Sequence, residues 1–150
     1  MKKVFSIILY VIFLIASFNA KSQEKELKNF WRNFQKAVTE TDDSAVVALS
    51  FFSNEEEKQY FNFELIFDED AINKIKNSST YDLEKVQRIP DELNDNPFDI
   101  LGLPEEINEV YILTVESEYE DEESMIAYDR IYVFGKFEGK FKFQGFYTVE

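Results

Sequence analysis

The sequence predicts an α+β protein in which N-terminal helices pack on a C-terminal antiparallel sheet. In the first half of the chain, apolar residues recur at helical spacing. In the last third, three long segments are rich in β-branched and aromatic residues, and short charged or glycine-containing breaks separate them. We expect residues 23–150 to form a single domain, because a chain of this size can bury roughly two-thirds of its unfolded surface.

Residues 1–22 have the organisation of a signal peptide. Two lysines precede an apolar run over residues 4–18, which is shorter than the about 20 residues that a membrane-spanning helix needs. Ala20 and Ser22 supply the small residues of a cleavage site after Ser22. Cleavage after Ala20 and retention of residues 1–22 as an uncleaved anchor are the alternatives. We expect a mature chain with no stable membrane anchor, in the periplasm or outside the cell.

The mature chain begins with a predicted helix over residues 23–41. Its apolar residues recur every three or four positions and form one stripe: Leu27, Phe30, Trp31, Phe34, Ala37 and Val38. Residues 41–44 contain four side chains that can each cap a helix, and they separate this helix from a shorter one predicted over residues 45–52.

The segment 55–67 fits either a helix or a strand. Its aromatic and aliphatic residues alternate as in a strand, whereas its glutamate-rich start, and the pair Asn54 and Glu57 with capping-box spacing, favour a helix. We therefore expect a helix. Asp68 is a predicted cap for a further helix over residues 69–76, and a short strand is predicted near residues 81–86.

The last third of the chain is predicted to form a meander of three antiparallel strands over residues 110–119, 124–134 and 140–149. Four consecutive acidic residues separate the first two strands, and Glu138-Gly139 separates the last two. Glycine supplies the positive φ that a tight hairpin turn needs.

Composition excludes several classes of site. The chain carries 16 basic and 30 acidic residues, a net charge of −14, and has no Cys and no His. Removal of the three lysines in residues 1–22 leaves the mature chain at −17, that is −14 minus 3. A thiol nucleophile, a Ser-His-Asp triad and a zinc finger all require residues that are missing. Nucleic-acid binding requires clustered basic residues, so we expect no nucleic-acid partner.

Two acidic clusters invite a calcium interpretation that we do not favour. Residues 91–99 are rich in oxygen ligands but have Leu93 and Asn96 where an EF-hand loop has a ligand and a glycine. Residues 118–123 are predicted to lie in a strand-to-strand loop, where acidic side chains are normally solvated. We expect no metal and no cofactor. Three lysines of the final hairpin, Lys136, Lys140 and Lys142, alternate with phenylalanines, and we interpret them as solubilising residues that discourage edge pairing.

The predicted sheet contains the candidate ligand or interface residues. In the middle strand, Asp129 and Arg130 each place one charge in the centre of an otherwise apolar face, flanked by Tyr128 and Tyr132. A buried charge must be paired or change its pKa. The alternatives are a polar group in a ligand cavity and an exposed or ion-paired structural charge, of which the second is commoner. Trp31 and Tyr111 complete the candidate set, and Trp31 is interpreted chiefly as core.

The middle strand is apolar on both faces, so the face that the helices leave uncovered needs an explanation. Exposed apolar patches usually mark contacts. Either that face is an interface, or residues 77–108 fold over it.

Two segments resemble the NTF2-like, or cystatin-like, superfamily. The pattern Phe30-Trp31-x-x-Phe34-x-x-Ala37-Val38, followed by Asp43-x-Ala45-Val46-Val47-x-Leu49, is similar to its opening helix pair. The ending, residues 132–143, is similar to its closing hairpin, with Phe141 where a tryptophan is frequent. The resemblance implies a curved sheet around a long helix with a cavity between them, and it extends to small exported bacterial proteins of unknown function.

These observations favour a non-enzymatic binding or interaction module that uses a sheet face or a helix–sheet cavity, as a homodimer, with a protein partner or with a small molecule. No catalytic residues are assigned. The alternatives are a small enzyme of the same fold with Asp129 as a carboxylate base near Tyr128 or Tyr111, and an acidic inhibitor or immunity-type protein.

Overall fold

The computed structural model describes residues 2–88, 96–121 and 124–149, with side chains for residues 20–88, 96–117 and 127–149. Helices occupy the N-terminal half and a four-stranded antiparallel sheet occupies the C-terminal half. The predicted α+β class is therefore confirmed.

The first helix, α1, runs from Lys2 to Thr39, so the helix predicted from residue 23 is continuous with the segment before it. Its stripe of apolar side chains from Leu27 to Val38 is buried against the sheet. The predicted cleavage site after Ser22 falls within α1, and the signal-peptide assignment stays a prediction.

The second helix, α2, spans Asp43–Leu49 and ends three residues earlier than predicted. Asp42 caps it by accepting a hydrogen bond from the Ala45 amide at 2.9 Å. Ser50 ends the helix because its backbone is extended and forms a parallel bridge with Phe143 in the sheet.

The helical interpretation of residues 55–67 is confirmed by two short helices, α3 (Glu55–Gln59) and α4 (Phe63–Ile66). The predicted cap forms at α3, where Asn54 Oδ1 accepts from the Glu57 amide at 2.9 Å. The Glu57 carboxylate reaches back one residue further than in a regular capping box and accepts from the Ser53 amide at 2.8 Å. Capping of this kind satisfies amides that a helix start leaves unpaired.

Helix α5 spans Glu69–Asn77 and begins at the predicted cap, Asp68. A short strand, β1 (Glu84–Gln87), follows it, and then a one-turn helix, α6 (Pro97–Ile100), begins after Asn96.

Strands β2 (Glu109–Asp121), β3 (Ser124–Phe137) and β4 (Lys140–Val149) form the predicted meander, and the sheet order is β1-β2-β3-β4. Glu138 and Gly139 both have positive φ, 48° and 78°, in the turn between β3 and β4. Such a pair matches the twist of a two-residue hairpin turn.

The helix-side face of the sheet is closed by aromatic packing. The Phe34 ring lies 5.1 Å from the Phe134 ring, 5.5 Å from the Phe143 ring and 6.0 Å from the Phe67 ring, measured between centroids. The Phe67 ring in turn stacks on Tyr132 at 5.7 Å. The space between α1 and the sheet, where the family resemblance implied a cavity, is filled by these side chains.

A β-bulge changes which residues of β4 face the helices. Val133 pairs with Gly145 and Phe134 pairs with Phe143, which leaves Gln144 as an extra residue. Strict alternation in the sequence predicts Phe141, Phe143, Tyr147 and Val149 on one face of β4 and Phe146 and Thr148 on the other. For Phe143 and Phe146 this prediction is wrong. Because the bulge shifts the register by one residue, Phe143 and Phe146 both pack in the helix-side core.

Residues 96–107 cover part of the second face of the sheet. The buried side chains of this layer come from the covering segment (Phe98, Leu103, Ile107) and from the strands (Val110, Ile131, Val133). Arg88 holds the segment in place with hydrogen bonds to the carbonyls of Leu103 (3.0 Å), Pro104 (3.1 Å) and Ile107 (3.1 Å). The sequence left two interpretations of this face, an interface or a surface covered by residues 77–108. The structure shows that part of this segment covers it.

Candidate interaction site at the outer end of the sheet

The outer end of the sheet, as the term is used here, is the end away from the Glu138–Gly139 turn. There β4 reaches its last pairs with β3, Arg130 with Thr148 and Asp129 with Val149. Beyond these pairs only β2 and β3 continue, from the pair Ser117–Tyr128 outward.

Arg130 is the buried charge of this end. It is 9% exposed, and its guanidinium Nη2 donates to Asp68 Oδ2 and, at 3.2 Å, to the Tyr128 hydroxyl. The guanidinium also lies over the Tyr128 ring, 5.6 Å from its centre. From the sequence, this charge could be a polar group in a ligand cavity or an exposed or ion-paired structural charge. In the structure Arg130 is ion-paired. Its partner, Asp68, is the residue that caps α5 and does not belong to a neighbouring strand.

The charges in this cluster are electrostatically coupled. Burial opposes the charge of Arg130, but hydrogen bonds with Tyr128 and Asp68 outweigh it and raise the pKa of Arg130 above its ordinary value. Burial, assisted by the nearby charge of Asp68, raises the pKa of Tyr132 to about 12 despite the opposing effect of Arg130. The Tyr132 hydroxyl donates to the Ile66 carbonyl at 2.6 Å. Burial therefore keeps the Tyr132 phenol protonated well above neutral pH.

Ser117 lies next to this cluster, opposite Tyr128 in the strand register. It is 5% exposed, and no described residue hydrogen-bonds its hydroxyl. An unpartnered buried hydroxyl costs stability.

The structure brings three of the six sequence candidates together. Tyr128, Arg130 and Tyr132 lie on the helix-side face at the outer end. Asp129 lies between them in sequence and therefore on the second face, opposite Glu116 of β2. Asp129 therefore lies on the opposite face from Tyr128 and Tyr111, which the enzyme hypothesis placed beside it.

The other two candidates lie elsewhere. Trp31 is buried in the helix-side core and donates from Nε1 to the Ser78 carbonyl at 3.2 Å. Tyr111 pairs with Phe134 and donates its hydroxyl to Glu109 at 3.0 Å. Burial and the hydrogen bond to Glu109 raise the pKa of Tyr111 to about 12. Both residues have structural partners.

Sequence reasoning missed two components of this end. Asp68 was recognised as a helix cap but not as the partner of Arg130, since a contact between residues 62 positions apart leaves no local pattern. The second component is the edge of β4. The lysines of the final hairpin were interpreted as discouraging edge pairing. The sequence did not show that residues 145–149 lie at an unpaired part of the edge, because sheet order is not visible in strand spacing.

The two halves of the β4 edge differ. Near Phe143 the edge is occupied, because the Phe51 amide donates to the Phe143 carbonyl at 2.8 Å and Lys142 Nζ donates to the Ala48 carbonyl at 2.5 Å. Over residues 145–149, no described residue outside β3 pairs with the strand. This free half contains no charged residue and no proline, and Val149 is 47% exposed.

Open surface grooves lie elsewhere on the molecule and also at the start of the free half of β4, where one of about 250 Å³ reaches Gly145 and is lined by Phe61 and Ile66. Another, of about 730 Å³, follows residues 50–53 and is lined by Phe51, Phe52 and Phe137. Its wall also contains Lys142 and Lys58, and Lys58 pairs with Glu55 at 3.6 Å.

Metal and membrane features are not found in the part of the chain that the structure describes. No group of three or more acidic side chains there is arranged to hold a metal ion. Most of the first cluster considered from the sequence, 91–99, and the side chains of the second, 118–123, lie outside the described residues. No helix in the described part is long and apolar enough to cross a membrane.

Comparison with known proteins assigns no relative. No model of a protein family matches this chain, and no curated protein or solved structure matches it significantly.

Proposed function

We propose that this protein is an exported, non-enzymatic interaction module that binds a protein partner at the outer end of its sheet. The observation that carries the proposal is the free half of β4, residues 145–149, which is unpaired among the described residues and uncharged. Unpaired edge amides and carbonyls bind added strands readily, and proteins normally block such edges with charges, proline or a covering segment.

The alternatives have less support in the geometry. A ligand cavity between helix and sheet would occupy space that the rings of Phe34, Phe67 and Phe134 fill. An enzyme with Asp129 as base would need Tyr128 or Tyr111 beside it, but these side chains lie on the other face of the sheet. The broad second face is partly covered by residues 96–107. The free half of β4, in contrast, has no described pairing partner on its outer side.

The proposal includes export and a fold related to the NTF2-like superfamily. Support for export is the lysine start and apolar run of residues 2–18. Support for the superfamily is a long N-terminal helix packed on an antiparallel meander.

The test is native mass spectrometry of the protein purified under gentle conditions from a host that expresses the full chain. Thr148 is exposed at the free edge, and Thr148→Lys places a charge there. Thr39→Lys, the same substitution at an exposed position at the end of α1, is the control. We expect a complex in the wild type and in Thr39→Lys that is lost in Thr148→Lys, with unchanged circular dichroism. A complex that survives Thr148→Lys, or a wild-type protein that is never found in a complex, would overturn the proposal.

A further inference from the structure

We infer that the partner at the β4 edge is a second copy of this chain, paired antiparallel through residues 145–149. This inference rests on the proposed function and names its partner. The twofold axis passes beside Tyr147, and the two sheets join into one of eight strands.

The first argument is the uneven protection of the edge. Lys140 and Lys142 lie in the half of β4 where residues 50–51 already occupy or approach the edge. The half with which no described residue outside β3 pairs contains no charge and no proline, the residues that discourage strand addition. The lysines that discourage strand addition are therefore confined to residues 140–142, and residues 145–149 have none.

The second argument is charge. Two copies of a chain with net charge −14 repel each other, so a self-contact must keep carboxylates apart. Strand β4 has no acidic residue, whereas β1 has Glu84, β2 has Glu109 and Glu116, and β3 has Asp129. The opposite edge of the sheet is formed by β1, which would bring Glu84 of each copy into the contact. Among the described residues, the free half of β4 brings no carboxylate of its own into such a contact.

The third argument is self-complementarity. A twofold contact uses the same residues from both copies. With the axis beside Tyr147, the register places Gly145 opposite Val149, Phe146 opposite Thr148, and Tyr147 opposite the second copy's Tyr147. Phe146 already stacks on Tyr132 at 5.7 Å, so the pairing would extend the helix-side core across the joint. Each face of the new pair then receives aromatic and β-branched side chains, which favour cross-strand pairing.

The absence of cysteine from the chain allows a direct test of this register. A single Tyr147→Cys should form a disulfide between two copies, because directly opposite residues of an antiparallel pair have Cα atoms about 4.5–5.5 Å apart. Thr148→Cys is the matched control, since its two copies would be offset by two positions and lie beyond disulfide reach. Both variants are made in the full chain, purified as the wild type is, and oxidised with dissolved oxygen and copper phenanthroline.

We expect a covalent dimer for Tyr147→Cys, at least tenfold less of it for Thr148→Cys, and a wild-type dimer fraction that rises with concentration in native mass spectrometry. Circular dichroism confirms that each variant is folded. A wild-type dimer without cross-linking in a folded Tyr147→Cys would overturn this register and the inference. A complex with a different protein that Thr148→Lys abolishes would overturn the second copy as partner but leave the proposed function standing. A wild-type monomer with no complex would overturn both.

Discussion

The carboxylate of Asp68 connects helix α5 to the side chain of Arg130 in β3. Its Oδ1 accepts the Ala71 amide at 3.0 Å and so caps α5, while its Oδ2 accepts from the Arg130 guanidinium. One side chain therefore performs a local and a long-range task. The start of α5 is fixed on the sheet at the end where we place the interaction site.

Two substitutions of Asp68 should separate the contribution of the helix cap from that of the ion pair with Arg130. Asp68→Asn keeps an oxygen that can cap the helix but removes the charge, and we expect it to lower the free energy of unfolding by about 1–2 kcal/mol, because Asp68 is partly exposed. Asp68→Ala removes both roles and should cost about 1 kcal/mol more. Urea denaturation measures both. In an Arg130→Met background the Asn substitution should cost almost nothing further, and an equal cost in both backgrounds would contradict the coupling.

Alkaline pH should destabilise the fold through Tyr132. The pKa of its buried phenol is raised from 10.0 to about 12, so the unfolded chain releases this proton at lower pH than the folded chain does. The stabilising effect is complete below pH 10 and is lost as the pH rises through 12, with a total of roughly 2–3 kcal/mol.

Denaturation at pH 9, 11 and 12 tests this with Tyr132→Phe. The variant should be less stable by about 1 kcal/mol at pH 7, because it loses the hydrogen bond to the Ile66 carbonyl. Between pH 10 and 12 it should lose less stability than the wild type. Tyr81→Phe, at an exposed residue, should follow the wild type, and parallel curves for all three proteins would refute the assignment.

Substitution of two buried serines by alanine should change the stability of the protein in opposite directions. The Ser117 hydroxyl has no partner among the described residues, so Ser117→Ala should stabilise the protein by about 1 kcal/mol. The Ser50 hydroxyl donates to the Val46 carbonyl at 2.7 Å, so Ser50→Ala should destabilise it by about the same amount. Thermal denaturation of the two variants is the measurement. A loss of stability in Ser117→Ala would indicate that the hydroxyl is bonded.

Arg88→Met should release the segment that covers the second face. The variant loses three hydrogen bonds to backbone carbonyls and the stacking of the guanidinium over Phe98 at 4.6 Å. We expect a loss of about 1–3 kcal/mol and increased binding of a hydrophobic fluorescent dye, as Ile131 and Val133 become accessible. Arg32→Met, at an exposed residue of α1, is the control and should change neither property. Unchanged dye binding in Arg88→Met would mean that the cover is held by its apolar contacts alone.

Most elements of this protein could be predicted because their signals are local. The stripe from Leu27 to Val38 repeats within one helix, and Asp68 acts as a cap on an amide three residues away. The alternation within β2 and β3, and the Glu138–Gly139 turn, likewise depend on neighbouring residues. The sequence by itself therefore determined the α+β class, the order of elements and the burial of the aromatic stripe.

The tertiary structure alone decided which surfaces remain available. The Asp68–Arg130 pair, the cover over the second face and the bulge at Gln144 all depend on contacts between distant segments. Such contacts form when packed layers meet, and no periodicity in either segment encodes them. For the same reason, the sequence identified Arg130 as a charge that needed a partner, but only the folded chain supplied Asp68 and left the end of β4 as the open edge.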